Sequence, residues 1–133
     1  MFTTLTIARL ADEIVEAYDN ALAAVQGNTR WTNAVETGAD WVYTQDAIEY
    51  DLEAHALRVA SPSGRTYTAN GVCQCEAYAA GQPCWHRAAG RIVQRAVEAV
   101  EAQAEAIRVR ALEARAPEAR RKTAQEEIDE LFN

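Results

Sequence analysis

The 133 residues contain only two histidines, three cysteines and six glycines, and no run approaches membrane-spanning length without a charge. A spanning helix needs about 20 mostly apolar residues, so none is expected. The opening Met1-Phe-Thr-Thr-Leu-Thr6 places no basic region ahead of an apolar stretch, which predicts no export leader and a cytoplasmic protein. The sparse glycines build no phosphate-cradling loop, and no second cysteine-histidine pair is present for nucleophilic catalysis. Asp46, Glu49, Asp51 and Glu53 alternate as the solvent face of a strand does, and His55, between two alanines, reads as a surface or partly packed side chain. No enzyme and no small-molecule substrate are expected.

Charge is present but uneven. The net charge is −7; residues 1–60 hold three basic and ten acidic side chains, residues 61–100 four and two, and residues 101–133 six and eight. Within the last part Arg108, Arg110, Arg115, Arg120, Arg121 and Lys122 precede an acidic stretch from Glu126 to Glu130. Such a segment either contacts phosphates or forms the salt-bridged face of a solvated helix.

The cysteines are not scattered. Cys73, Cys75, Cys84 and His86 fall within fourteen residues as C-x-C-x8-C-x-H. Two ligand pairs separated by a short loop can close a tetrahedral zinc site without long-range folding. With four protein ligands and no position for water, one such Zn2+ is structural and supplies folding free energy. A disulfide would leave one of the three thiols unpaired, and C-x-C is cramped for a bridge. Ordinary buried cysteines would leave the convergence of four soft ligands to coincidence.

The flanks predict how the ligands are held. Arg65 to Ala69 reads as a strand, Asn70-Gly71 as a tight turn, and Val72 to Cys75 as a second strand. Gly81-Gln-Pro83 is a turn, after which Cys84-Trp-His86 opens a long apolar-periodic run, as a helix N-terminus would. This ββα layout resembles the SWIM-type zinc finger, through Tyr67, Cys73, Cys75, Tyr78, Gly81, Cys84, His86, Ala88 and Ala89, over about Val59 to Val97. Members of that family occur in transposases, chromatin remodellers, ubiquitin ligases and recombination accessory proteins. The resemblance implies an adaptor or DNA-associated accessory factor, of the short, free-standing kind found in prokaryotes and their phages.

Around the finger, the spacing of Ile7, Ala11, Ile14, Tyr18, Leu22 and Val25 predicts an amphipathic helix over about Thr4 to Val25. Asn28 to Thr44 supports neither helix nor strand strongly. Ala47 to Leu52 and Leu57 to Ser61 read as strands, making three or four with the zinc hairpin. From about Trp85 to Arg115, Ala89, Val93, Ala96, Val100, Ile107, Ala111 and Ala114 follow near-heptad spacing, with Gln103 in the seam. The expected fold is therefore α+β in a single domain, 1–133. It comprises an N-terminal helix, a small antiparallel sheet bearing the finger, and a helical extension from 98 that Pro117 interrupts or restarts, with a flexible tail after 117 as the alternative to continued helix.

The long helix needs a cover, either the N-terminal helix or a second copy in a homodimer. Two partner classes follow. In one, Arg87, Arg91, Arg95 and the basic segment from Arg108 to Lys122 contact backbone phosphates of DNA. In the other, zinc rigidifies a scaffold that recruits a protein of DNA metabolism or itself. Gln125, Ile128, Leu131 and Phe132 also resemble the sliding-clamp-binding peptides of replication and repair proteins, although docking on the chain's own core would use the same residues.

Overall fold

In the computed structural model, residues 1–62 and 64–115 are described in full and residues 116–132 by backbone alone. The chain is α+β: β1 (Phe2–Thr6), a 3-10 turn (Ile7–Leu10), α1 (Ala11–Ala24), α2 (Thr29–Tyr43), β2 (Ala47–Asp51), β3 (Ala56–Ala60), β4 (Thr66–Ala69), α3 (Glu76–Ala79) and α4 (Trp85–Phe132). Two compact units divide it, Met1–Ala99 and Val100–Asn133.

The sheet is antiparallel with strand order β1-β2-β3-β4. Its register pairs Leu5 with Ile48, Tyr50 with Leu57, Leu57 with Ala69 and Val59 with Tyr67, so these side chains share one face. Ile48, Tyr50, Leu57, Val59 and Ala69 on that face are buried with Ile14 of α1, Val35 and Val42 of α2, and Ile92 and Val93 of α4. The other face keeps charge: Arg58 pairs with Glu49 and lies 4.1 Å from the centroid of the Phe2 ring.

The structure departs from the sequence reading at Thr4 and at Pro117, through which α4 runs, and decides the open segment Asn28 to Thr44. The predicted helix from Thr4 begins only at Ala11, because Thr3, Thr4 and Thr6 are β-branched and pair with the free edge of β2. The undecided segment Asn28 to Thr44 is a helix. The Asn28 side chain accepts a hydrogen bond from the Trp31 N–H at 3.1 Å and caps it, and Ala34, Val35, Gly38, Ala39 and Val42 form its buried stripe.

Small residues bring α4 close to its neighbours. A Cβ at Gly38 would lie 2.8 Å from both the Ala89 nitrogen and the Trp85 carbonyl oxygen, and one at Gly90 would lie 3.0 Å from the Ala69 oxygen. The first turns of α4 are thereby set against α2 and the end of β4. In the second unit, every described side chain from Glu101 to Arg115 is exposed, Ile107 and Leu112 at 66 %. Among the described residues no helix is long and apolar enough to cross a membrane.

Gly38→Ala tests this packing. The helix-propensity gain is about 1 kcal/mol, whereas the clash is with backbone that cannot rotate away. A net destabilisation of about 1–3 kcal/mol is expected by urea unfolding, with Thr37→Ala on the exposed face of the same helix near neutral.

Candidate metal centre

β4 leads into the site. After Ala69 the chain turns at Asn70-Gly71, where the Asn70 N–H donates to the Val72 carbonyl at 3.2 Å. The predicted second strand of a hairpin over Val72 to Cys75 does not form. The Gln74 side-chain amide takes its place. Its Oε1 accepts from the Thr68 N–H at 3.0 Å, and its Nε2 donates to the Thr68 carbonyl at 3.2 Å, satisfying the edge of β4 as a strand partner would. With a side chain making the ladder contacts, the backbone at residues 73–75 is free to turn Cys73 and Cys75 inward together.

Cys75 then caps α3, its Sγ accepting from the Tyr78 N–H at 3.5 Å. The chain returns through Gly81 and Gln82, whose N–H groups donate to the carbonyls of Tyr78 and Ala77 at 3.0 and 2.9 Å. Cys84 sits immediately before α4, and its carbonyl accepts the Ala88 N–H at 3.2 Å. His86 follows in the first turn. The predicted entry of the second ligand pair into a helix is thus observed.

The four donor atoms of Cys73, Cys75, Cys84 and His86 lie within 4.8 Å of one another, and all four residues are buried. Cys75 Sγ and Cys84 Sγ are 3.2 Å apart, and Cys84 Sγ is 3.3 Å from His86 Nδ1. The three cysteines are unbridged. A tetrahedral site with thiolate bonds near 2.3 Å and imidazole bonds near 2.1 Å has donor-donor edges of about 3.5–3.8 Å. The four donors stand within about 1 Å of those edges, so closing on an ion requires only small shifts.

Aromatic rings fix the histidine. The His86 ring lies 4.1 Å from the Trp85 ring and 4.8 Å from the Tyr67 ring, centroid to centroid. Its Nε2 is buried without a hydrogen-bond partner among the described residues. Burial holds the His86 pKa below its ordinary value, which keeps the ring neutral and able to donate a lone pair. Burial also pushes the Cys73 thiol up to about 12 and raises that of Cys84. At Cys75 burial acts in the same direction, but the Tyr78 N–H, the neighbouring thiols of Cys84 and Cys73 and the Ala77 N–H together outweigh it and leave that pKa lowered. Such a pocket suits a cation: the Cys73 and Cys84 thiols, costly to ionise alone, become thiolates more readily when positive charge sits among them. The quartet can hold one metal ion.

No protein-family model, curated protein or solved structure matches the chain.

The arginines singled out from the sequence fall in different surroundings. Arg87 is half-buried, its guanidinium 5.0 Å from the Tyr78 ring centroid and 5.6 Å from that of Trp31, and its Nε has no hydrogen-bond partner among the described residues. Arg91 and Arg95 are exposed; Arg91 donates to Gln94 at 3.4 Å, and Arg95 pairs with Glu98 at 3.1 Å. Arg108 pairs with Glu105 at 3.0 Å, and Arg110 and Arg115 are exposed. The side chains of Arg120, Arg121, Lys122, Gln125, Ile128, Leu131 and Phe132 lie outside the described residues. His55 is partly buried and shares a 3.3 Å hydrogen bond with the Tyr50 hydroxyl.

The sequence reading missed Gln74; Trp31, read from the sequence as a core residue, is partly buried and faces Arg87. A signal for Gln74 existed, since it stands as far after Gly71 as Thr68 stands before it, the symmetry of a hairpin pair.

Metal analysis of the purified chain is expected to find one ion per polypeptide, lost from Cys73→Ser and Cys84→Ser. Chelation at neutral pH is expected to lower the thermal midpoint by about 10 °C or more. The raised pKa values of Cys73 and Cys84 set the sign of the pH dependence. These groups are protonated in the metal-free chain, so binding releases protons and affinity falls as pH falls. Competition titrations at several pH values check this.

Proposed function

We propose that this chain is a zinc-stabilised interaction module of the SWIM type, serving as a DNA-binding accessory protein in recombination, replication or a mobile-element context, and not an enzyme. The observation that carries the reading is the buried quartet of Cys73, Cys75, Cys84 and His86, with a strand before it and a helix opening at its last pair. Three thiolates and an imidazole suit zinc above harder ions, and a site closed by four protein ligands leaves no position for substrate or water. The metal then acts through folding. Three unbridged thiols also support a reducing, cytoplasmic setting.

For DNA, the support is the basic character that begins at the finger: Arg87, Arg91 and Arg95, then Arg108, Arg110 and Arg115 on the exposed part of α4, with Arg120, Arg121 and Lys122 beyond. Backbone phosphate is the target such residues would contact, with no base readout implied. A second reading, a protein adaptor or a homodimer built on α4, is favoured by two observations. Arg95 and Arg108 already pair with Glu98 and Glu105 on their own helix, and the chain carries a net charge of −7, which opposes non-specific DNA affinity.

Fluorescence anisotropy with a labelled duplex across a salt series separates the two. DNA binding predicts affinity that falls log-linearly with salt, and Arg110→Ala with Arg115→Ala reduces the slope by about 0.9 for each phosphate that is no longer neutralised. Absence of duplex binding at low salt, or binding indifferent to both substitutions, removes the DNA reading and leaves the adaptor.

A further inference from the structure

Between α1 and the first turns of α4 runs an open groove of about 680 Å³, within the range of specific binding sites. Its chemistry is two-sided. Arg87, Arg91 and Arg95 line it from α4 at successive i, i+4 positions, while Glu13 and Glu16 line it from α1. Arg95 pairs with Glu98 of its own helix and Arg87 faces the rings of Trp31 and Tyr78; among the described residues no ion pair joins these arginines to Glu13 or Glu16. Between the charged sides lie small apolar residues, among them Ala17, Ala21 and Ile92.

Opposite charges held apart across an apolar floor are completed by an occupant that carries both signs. Duplex DNA is a poor candidate, being about 20 Å across against a groove between adjacent helices, and the carboxylates of Glu13 and Glu16 would repel its phosphates. An α-helix is about 10 Å across, and alanines on the floor allow the 8–10 Å approach of packed helices. From Arg87 to Arg95 is two turns, about 12 Å, enough to meet carboxylates on successive turns of one partner helix. A second copy of this chain matches poorly. Beside the apolar stripe of its exposed helix, Val100, Ala104, Ile107 and Ala111, one flank mixes Glu101 and Glu105 with Arg108 and Arg115, Glu105 being paired with Arg108, and the other carries Gln103 and Arg110, so either flank sets arginine against this wall.

We propose that this groove docks an amphipathic helix of another protein, with small apolar side chains on the floor, carboxylates along Arg87, Arg91 and Arg95, and basic side chains along Glu13 and Glu16. The proposal does not depend on which metal the cysteines hold. It places the three arginines on a protein surface whatever the basic segment further along α4 binds.

The probe is a displayed library of helix-forming peptides, its alanine-leucine stripe constant and its flanking positions randomised among Glu, Lys and Ser, selected against the full metal-containing chain. Enrichment of Glu on one flank and Lys on the other is expected, and synthetic copies should bind at least about tenfold more weakly to Arg91→Glu, which alters the charged wall, and to Ala21→Leu, which fills the floor. Both variants should keep their metal content, separating failure here from failure of the zinc reading. No enrichment, enrichment without flank bias, or equal binding to both variants overturns the proposal. So does duplex binding that Arg91→Glu alone abolishes, which would return the wall to phosphate, or self-association that both variants abolish, which would make a second copy the occupant.

Discussion

Three thiols and an imidazole, all potential metal donors, converge at one point of the interior. Cys73, Cys75, Cys84 and His86 are buried together, unbridged, with one imidazole nitrogen lacking a hydrogen-bond partner among the described residues. Burial disfavours charge on each thiol in isolation, and at Cys75 the Tyr78 N–H, followed by the neighbouring thiols and the Ala77 N–H, leaves that one thiol easier to ionise while Cys73 and Cys84 stay harder. A single cation reverses that balance for all of them at once, since each thiolate then gains a bond and a counter-charge in place of a desolvation cost. The local architecture follows from gathering these groups. The β4 edge is closed by a glutamine side chain instead of a strand, α3 is capped by a thiol, and α4 opens directly from the third cysteine.

A cluster so local in sequence would be loosely attached without the close contacts that tie it to the rest of its unit. Tyr67 reaches the imidazole from the buried face of the sheet, in register with Val59. Gly38 admits the backbone of Trp85 and Ala89, and Gly90 admits the end of β4. Trp31 of α2 and Tyr78 of α3 both face the Arg87 guanidinium, which joins a helix far in sequence to the Cys-His cluster. Cation-π contacts of this kind contribute about 0.5–2 kcal/mol each, more as water is excluded. Arg87 therefore has a structural role that Arg91 and Arg95, both exposed, do not share.

Much of this was legible in the sequence, and the failures share a physical cause. The ligand set, the strand before it, the helix after it and the strands at residues 47–51 and 56–60 were marked by chemistry or periodicity that each segment carries by itself. The errors fell where a segment's state is decided by what it touches. Phe2–Thr6 is a strand because β2 offers an edge, although Ile7 and Ala11 extend a helical pattern back to it. Val72 to Cys75 is not a strand because Gln74 supplies with one side chain what a second strand would supply with backbone. α2 showed a Val35, Ala39, Val42 stripe and an asparagine cap, but its tryptophans and Gly38 blurred the pattern; Gly38 costs helix propensity and is retained for the close approach of α4. The groove was invisible for the same reason, since its two walls are about 70 residues apart in the chain.

The Cys3His quartet and the groove share α4, so an ion held by the quartet would act on the helix that carries one wall of the groove. Cys84 and His86 lie at the start of the helix, and the next residues along it are those that line the groove. A helix advances about 100° per residue, so the rotational setting of its first turn determines where Arg87, Arg91 and Arg95 point two turns later. Without an ion, that setting rests on the buried side chains of Ile92 and Val93, on Trp85 stacking, on Arg87 between Trp31 and Tyr78, and on the close approaches at Gly38 and Gly90. With four ligands bound to one centre, two of them on either side of Trp85, the first turn has a single orientation and the arginine wall inherits it. Ordering that would otherwise be charged against each binding event is completed when the chain folds around its metal. An ion held by the quartet would in this way act at a distance, through the helix it anchors and not through contact with whatever the groove holds.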